Sequence, residues 1–267
     1  MNYLTLGFCL SLLGTALAHA ADEAPPAVGG KTYASHLASA ARSGHPEVRA
    51  VVVRVGATGA STTPIGVSPR GARPTGVTTH AVLRNVSGDA LGGIDIILAP
   101  GAKDRAAIAK AIGDYIAARA LSAKNLADPW PYDPHRSSAT YAQTLVDRTM
   151  QAHPELLVFA IHATPPGEKT NIIIGSNIGR IGKAADDDDL RVIEKGETNL
   201  EVAEGGERFE VELPLNDAKG ARIGALGEVF AYKAGDDKKA LEARAIAVRD
   251  ALARQIPASA ALFRTHG

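Results

Sequence analysis

The sequence predicts an α+β protein of two modules, each an antiparallel sheet with flanking helices. Three observations predict it. First, the segment from Tyr33 to Glu47 returns from Tyr141 to Glu155 without a gap: Tyr33-Ala34, Leu37 and His45-Pro46-Glu47 match Tyr141-Ala142, Leu145 and His153-Pro154-Glu155. Second, Gly88, Leu91 and Gly92 are echoed by Gly220, Ile223 and Gly224 at the same spacing. Third, the second half carries both periodicities that such a fold requires. Phe209, Val211, Leu213 and Leu215 alternate as in a half-buried strand. Leu241, Ala245, Val248 and Leu252 form one helical stripe. Self-similarity of this kind reads as a degenerate internal duplication, with a middle that is a couple of dozen residues shorter in the first copy.

The elements of the second copy follow in order. Ala142, Leu145, Val146 and Thr149 sit at helical spacing. Pro154 ends that helix, because the residue before a proline is pushed out of the α region. A strand runs through Ile161, matching Ala50 to Val53 in the first copy, and a second β-branched run spans Asn171 to Gly175. A loop from Ser176 to Asp189, the alternating strand, a turn from Asn216 to Gly220, a hairpin partner from Ile223 to Tyr232 and the last helix complete the plan. The boundaries read as residues 31–121 for the first module, 141–256 for the second and 257–267 for a tail. Residues 122–140 between the modules hold Pro129, Pro131 and Pro134, a stiff linker composition, and the only tryptophan, Trp130. That ring either docks onto a neighbouring domain or packs against its own.

Residues 1–20 read as a signal peptide. Leu4 to Leu17 is apolar and uncharged, and Ala18-His19-Ala20 is an A-x-A cleavage pattern, so the cut is expected before Ala21 with export of the mature chain. The rival reading is an uncleaved anchor, but 14 residues is short against the roughly 20 of a span. Cys9, the only cysteine, lies in this leader, so a cleaved chain has no disulfide and no thiolate site. The 29 basic and 29 acidic residues balance, which gives no reason to expect nucleic acid or an anionic membrane as partner. No later apolar run approaches a membrane span. The sequence has no Gly-x-Ser-x-Gly elbow, no His-Glu-x-x-His and no phosphate loop, so no enzymatic activity is expected.

The binding residues are sought in the loop that only the second copy keeps. Arg180 and Lys183 supply two cations beside Ser176 and Asn177, a set able to hold a carboxylate. The same cations can instead pair with Asp186 to Asp189. Those four acids read as an acidic turn or a helix N-terminus rather than a metal loop, since they lack the spacing of an EF-hand. Glu228 and Tyr232, on the last strand, face either the pocket or the solvent side of the sheet. His45 and His153, each before Pro-Glu, suggest a structural role at a helix end. His80, His135 and His162 have no partner at ligand-like spacing.

Asn171 to Lys183, the acidic turn after it, and Glu210 to Gly227 with its Pro214-Leu215, Asp217, Gly220 and Ile223-Gly224 resemble the sensor segment of Cache domains, the extracytoplasmic relatives of PAS. The resemblance covers most of the second copy and only the ends of the first. It implies two PAS/Cache-like modules, the periplasm as the destination of the exported chain, and a pocket between sheet and middle loop for a small anionic metabolite such as a carboxylate or amino acid. Ser176, Asn177, Arg180, Lys183, Glu228 and Tyr232 are the ligand-binding residues expected on this reading. No cofactor is expected, and a sensor-like protein of this kind acts through an envelope or membrane signalling partner. A structural or interaction protein of the cell envelope, and a haem- or metal-binding PAS-like protein, stand as alternatives.

Overall fold

A computed structural model describes residues 31–56, 63–69, 75–203 and 205–265. The leader, with Cys9, lies outside the described residues. The stretch labelled the first module, after the sequence reading, opens with α1 (Tyr33–Ser43), where the Thr32 hydroxyl caps the helix by accepting from the Ser35 N–H. Strands β1 (Val48–Val55), β2 (Thr63–Pro69), β3 (Val77–Arg84) and β4 (Ala90–Leu98) follow, then α2 (Arg105–Ala117). They form a four-stranded antiparallel sheet in the order β2-β1-β4-β3. Leu37, Val51, Val53, Ile94, Ile96 and Ile112 pack α1 and α2 onto one face of it.

The second module opens with α4 (Tyr141–Ala152), capped by Thr140 as α1 is by Thr32. Next come β5 (Leu156–Ala163), β6 (Ile172–Ser176), α5 (Asp187–Lys195), β7 (Asn199–Val202), β8 (Arg208–Asn216), β9 (Arg222–Ala231), α6 (Lys238–Ala253) and the short α7 (Ser259–Leu262). The five-stranded antiparallel sheet runs β6-β5-β9-β8-β7. Leaving aside β7, this order repeats that of the first sheet strand for strand. Leu145, Phe159, Phe209, Leu226, Phe230 and Val248 join α4 and α6 to one face. The architecture is thus α+β, two antiparallel sheets with flanking helices.

The recurring residues have recurring jobs. In both modules the first helix crosses an edge strand where an alanine meets a glycine. A Cβ on Gly66 would run into Ala34, and one on Gly175 would press on Ala142. Gly92 and Gly224 are the third residues of the equivalent strands β4 and β9, and a Cβ on either would collide with a neighbouring carbonyl, that of Arg54 or of His162. His45-Pro46-Glu47 and His153-Pro154-Glu155 make the same turn from helix to strand. The N–H of Val48 donates to the carbonyl of His45, and that of Leu156 to the carbonyl of His153, both at 3.0 Å. The imidazoles do not reach the free helix carbonyls. They lean instead on Glu47 (3.5 Å) and Glu155 (3.2 Å).

The modules differ on their second sheet face. In the second module, the 177–189 segment and α5 cover it. In the first, Val67 and Val82 are exposed among the described residues. Two elements of that cover were not visible as periodicity. The acidic run starts α5 through a capping box between Asp186 and Asp189, and the four-residue β7 extends the sheet edge. The proline-rich 122–140 segment is also packed. It contains α3 (Ala123–Ala127), whose Leu126 is fully buried in the first core.

The glycine contacts set an expected order of stability. Gly224→Ala, which meets backbone, is expected to lose about 2–3 kcal/mol. Gly220→Ala, at φ +85° with open space around it, pays only for its conformation, about 1 kcal/mol. Urea unfolding midpoints of the two variants check the order.

Candidate functional site

The face of the second sheet away from α4 and α6 is built by alternation. Phe159 and Ile161 of β5 point to the helices, so Val158, Ala160 and His162 point the other way. By the same parity Arg208, Glu210 and Glu212 of β8 and Gly227 and Val229 of β9 share that face. The segment from Ser176 to Asp189 arches over them and adds Ile178, Arg180, Lys183, Asp186 and Asp189. Between sheet and arch lies a cavity of about 300 Å³.

The arch is held from both modules. The Asn177 side chain accepts from the Phe159 N–H at 3.0 Å and donates to the carbonyls of Leu157 (3.0 Å) and Ala118 (3.1 Å). Its carbonyl accepts from the Tyr33 hydroxyl at 3.2 Å, and that of Ile178 accepts from the buried Asn125 amide at 3.0 Å. Gly179 (φ +74°) packs directly on the Tyr33 ring, where a Cβ would clash. The Ser176 hydroxyl accepts from the Ile178 N–H, and the Gln143 side chain pairs with the Ser176 backbone on both its N–H and its carbonyl.

Charge in the cavity is lopsided. Arg180 is taken up by Asp128 of the interdomain segment, at 2.8 Å, rather than by the Asp186–Asp189 run. Lys183 and Arg208 remain, and neither makes an ion pair among the described residues. Against them stand Asp186, Asp189, Glu210 and Glu212. Burial, reinforced by Glu210, pushes Glu212 up to about 8. Burial, reinforced by Asp189, raises Glu210 to about 7. Burial and then Asp186 raise Asp189 to about 7. Glu201 on β7 is raised as well, by burial and by Asp188. Buried His162 is pushed down to about 4, so it is neutral at physiological pH. Its Nδ1 lies 3.4 Å from an Asp189 oxygen without forming a hydrogen bond. Among the described residues, no group of three or more His, Cys, Asp or Glu side chains is arranged to hold a metal ion.

The six residues singled out from the sequence fall into three groups. Ser176, Arg180 and Lys183 line this cavity. Asn177 is spent on anchoring the arch. Glu228 and Tyr232 are not at the cavity, which corrects their reading as pocket residues. Gly227 and Val229 face it, so Glu228 between them must face the helices, where it is fully buried. Among the described residues neither of its oxygens has a hydrogen-bond partner, and burial raises it to about 9 against the weaker pull of Arg249. Tyr232 packs at the rim of the helix-side core beside Phe209. Glu210, Glu212, Arg208 and His162 were missed as site residues. The alternation that marked Phe209 to Leu215 as a strand marked Glu210 and Glu212 as its other face, a usable signal.

No protein-family model and no curated protein matches the chain. Three solved structures are similar to just under half of it. The C-terminal domain of the E. coli transcriptional regulator KdgR is 14% identical, with a TM-score of 0.30, over 45% of this chain and 98% of that one. A domain of a putative transcriptional regulator of the IclR family is 13% identical, with a TM-score of 0.28, over 44% and 94%. A putative GAF sensor protein from Burkholderia vietnamiensis is 15% identical, with a TM-score of 0.30, over 48% and 95%.

Two stability tests follow from the buried carboxyls. Glu212 has a raised folded pKa, so the fold favours its protonated form. That contribution is present below the unfolded value near 4.5 and is lost as pH rises through about 8. Glu212→Gln is therefore expected to melt with the parent at pH 5 and above it at pH 9. Glu228→Leu removes two unpartnered buried oxygens and is expected to gain on the order of 1 kcal/mol at pH 8 in denaturant unfolding.

Proposed function

We propose that this chain is a sensor-like, small-molecule-binding protein whose ligand enters the cavity of the second module and presents a cationic group to it. The observation that carries this reading is the surplus of carboxylates. Among the described residues four acids face the cavity, Arg180 is diverted to Asp128, and only Lys183 and Arg208 oppose them. Glu210 and Glu212 are held partly protonated by burial and mutual repulsion, and an ammonium or guanidinium group between them would relieve both. Val158, Ile173, Ile178 and Val229 form an apolar wall for the rest of the ligand. Lys183 and Arg208 offer cations to a carboxylate on the same ligand, so an amino acid fits this description better than a simple organic acid. The reading keeps the loop as the binding element and changes the sign of the group that the cavity favours.

The remaining parts of the proposal rest on the sequence. The leader at residues 1–20 supports export to the periplasm, with removal before Ala21. Signalling would then pass through a partner protein of the envelope.

A melting-temperature screen of amines, amino acids and organic acids tests the ligand class. Saturation at a hundred times the dissociation constant adds about 2.7 kcal/mol. Amine-bearing compounds are expected to raise the melting temperature. Their affinity should strengthen from pH 6 to 8.5, as the carboxyls ionise, and fall about tenfold in Glu212→Gln. Stabilisation by dicarboxylates alone, or by none of these compounds, would overturn the reading.

A further inference from the structure

A second and larger cavity, about 570 Å³, lies between the modules. One wall is the ring stack at the start of the first module. Trp130 lies on His36 with centroids 3.9 Å apart and planes 19° from parallel, and Tyr33 follows at 5.3 Å from Trp130. Tyr115 adds a fourth ring, with the Arg119 guanidinium 4.0 Å above its centre. The opposite wall is α4, with Gln143, Asp147 and Gln151. The arch forms the floor with Asn177, Gly179 and Ile181, while its neighbours Ile178 and Arg180 turn into the first cavity.

The distribution of aromatic residues is uneven in a telling way. Phe159, Phe209 and Phe230 are spent on the second core. The cleft takes Tyr33, Tyr115 and Trp130, three of the seven tyrosine and tryptophan residues in the chain. His36, Tyr115 and Trp130 keep part of their surface open. Burial lowers His36, so its ring is neutral and offers a π-face rather than a charge. Arg119 is committed to the Tyr115 ring and to the Tyr115 carbonyl. Asp147 is exposed, and among the described residues its side chain accepts one hydrogen bond, from Gln143 to Oδ1. The cleft therefore combines stacking surface with an acceptor that has capacity left.

We infer that the inter-module cleft is a second binding site, for a planar nitrogen heterocycle that stacks on the Trp130–His36 wall and donates a ring or amino N–H to Asp147. Stacking on an indole or imidazole face selects flat π-systems of any sequence of atoms, and the carboxylate selects those with a donor edge. A nucleobase is the ligand class that meets both conditions. The site shares no ligand with the amine-binding cavity and goes beyond that reading.

Trp130 is the only tryptophan, so the cleft carries its own reporter. Adenine titrated into the intact protein is expected to quench its fluorescence saturably. Asp147→Asn is expected to raise the apparent Kd about tenfold, as the loss of a charge-assisted hydrogen bond does. Tyr115→Ala is expected to weaken binding too, while Glu212→Gln, in the other cavity, changes it less than twofold. Asp147 and Tyr115 are not fully buried, and far-UV circular dichroism checks that both variants fold. Absence of saturable quenching by adenine, cytosine and nicotinamide overturns the inference, and so does quenching that Asp147→Asn leaves unchanged. Neither result touches the amine screen, which reads melting temperature at the other cavity.

Discussion

The side-chain amide of Asn177 holds the molecule's working parts together. One oxygen and one nitrogen satisfy backbone groups of Phe159 and Leu157 on β5, and the same nitrogen reaches Ala118 in the first module. An amide has two donors and two acceptor sites, so a single residue can close three backbone valences at once. Around it, Tyr33 on the Asn177 carbonyl ties the same few residues to the first module, and Asn125 on Ile178 and Asp128 on Arg180 tie them to the interdomain segment. The arch is thereby fixed at both sides, and each cavity exists because the arch stands off the surface it covers.

That placement explains the asymmetry of two otherwise parallel halves. Both sheets bury one face under helices, and both use a close alanine–glycine crossing to do so. Among the described residues, only the second has the arch, α5 and β7. The first module contributes instead from outside, through α1, α2 and the interdomain segment. What reads as a linker from its prolines is a structural wedge. Val158, Ile178 and Val229 of the second module meet Val86 and Leu121 of the first in a small apolar cluster at the junction.

The electrostatics of the cavity follow from the same geometry. A β-strand puts alternate residues on one face, so Glu210 and Glu212 of β8 are neighbours whatever their mutual repulsion. The capping box of α5 brings Asp186 and Asp189 to the rim for reasons of helix initiation. Desolvation and repulsion then act together to raise Asp189, Glu210 and Glu212. Glu228 shows the contrasting outcome one residue from Gly227. With no neighbouring acid among the causes of its shift, burial alone keeps it neutral.

The sequence by itself determined the order of the longer elements and the paired helices with their His-Pro-Glu turns. These are legible because period, proline and glycine act over a few residues. The short β7 and the helix begun by four aspartates left no periodic stripe long enough to read. Tertiary structure alone decided which charges meet. Arg180 finds Asp128, 52 positions earlier. Glu210 and Glu212 gather with Asp186 and Asp189, and Glu228 turns into the core on strand parity. Charge pairing and desolvation depend on distance in space and on the loss of water, and neither is carried by spacing along the chain.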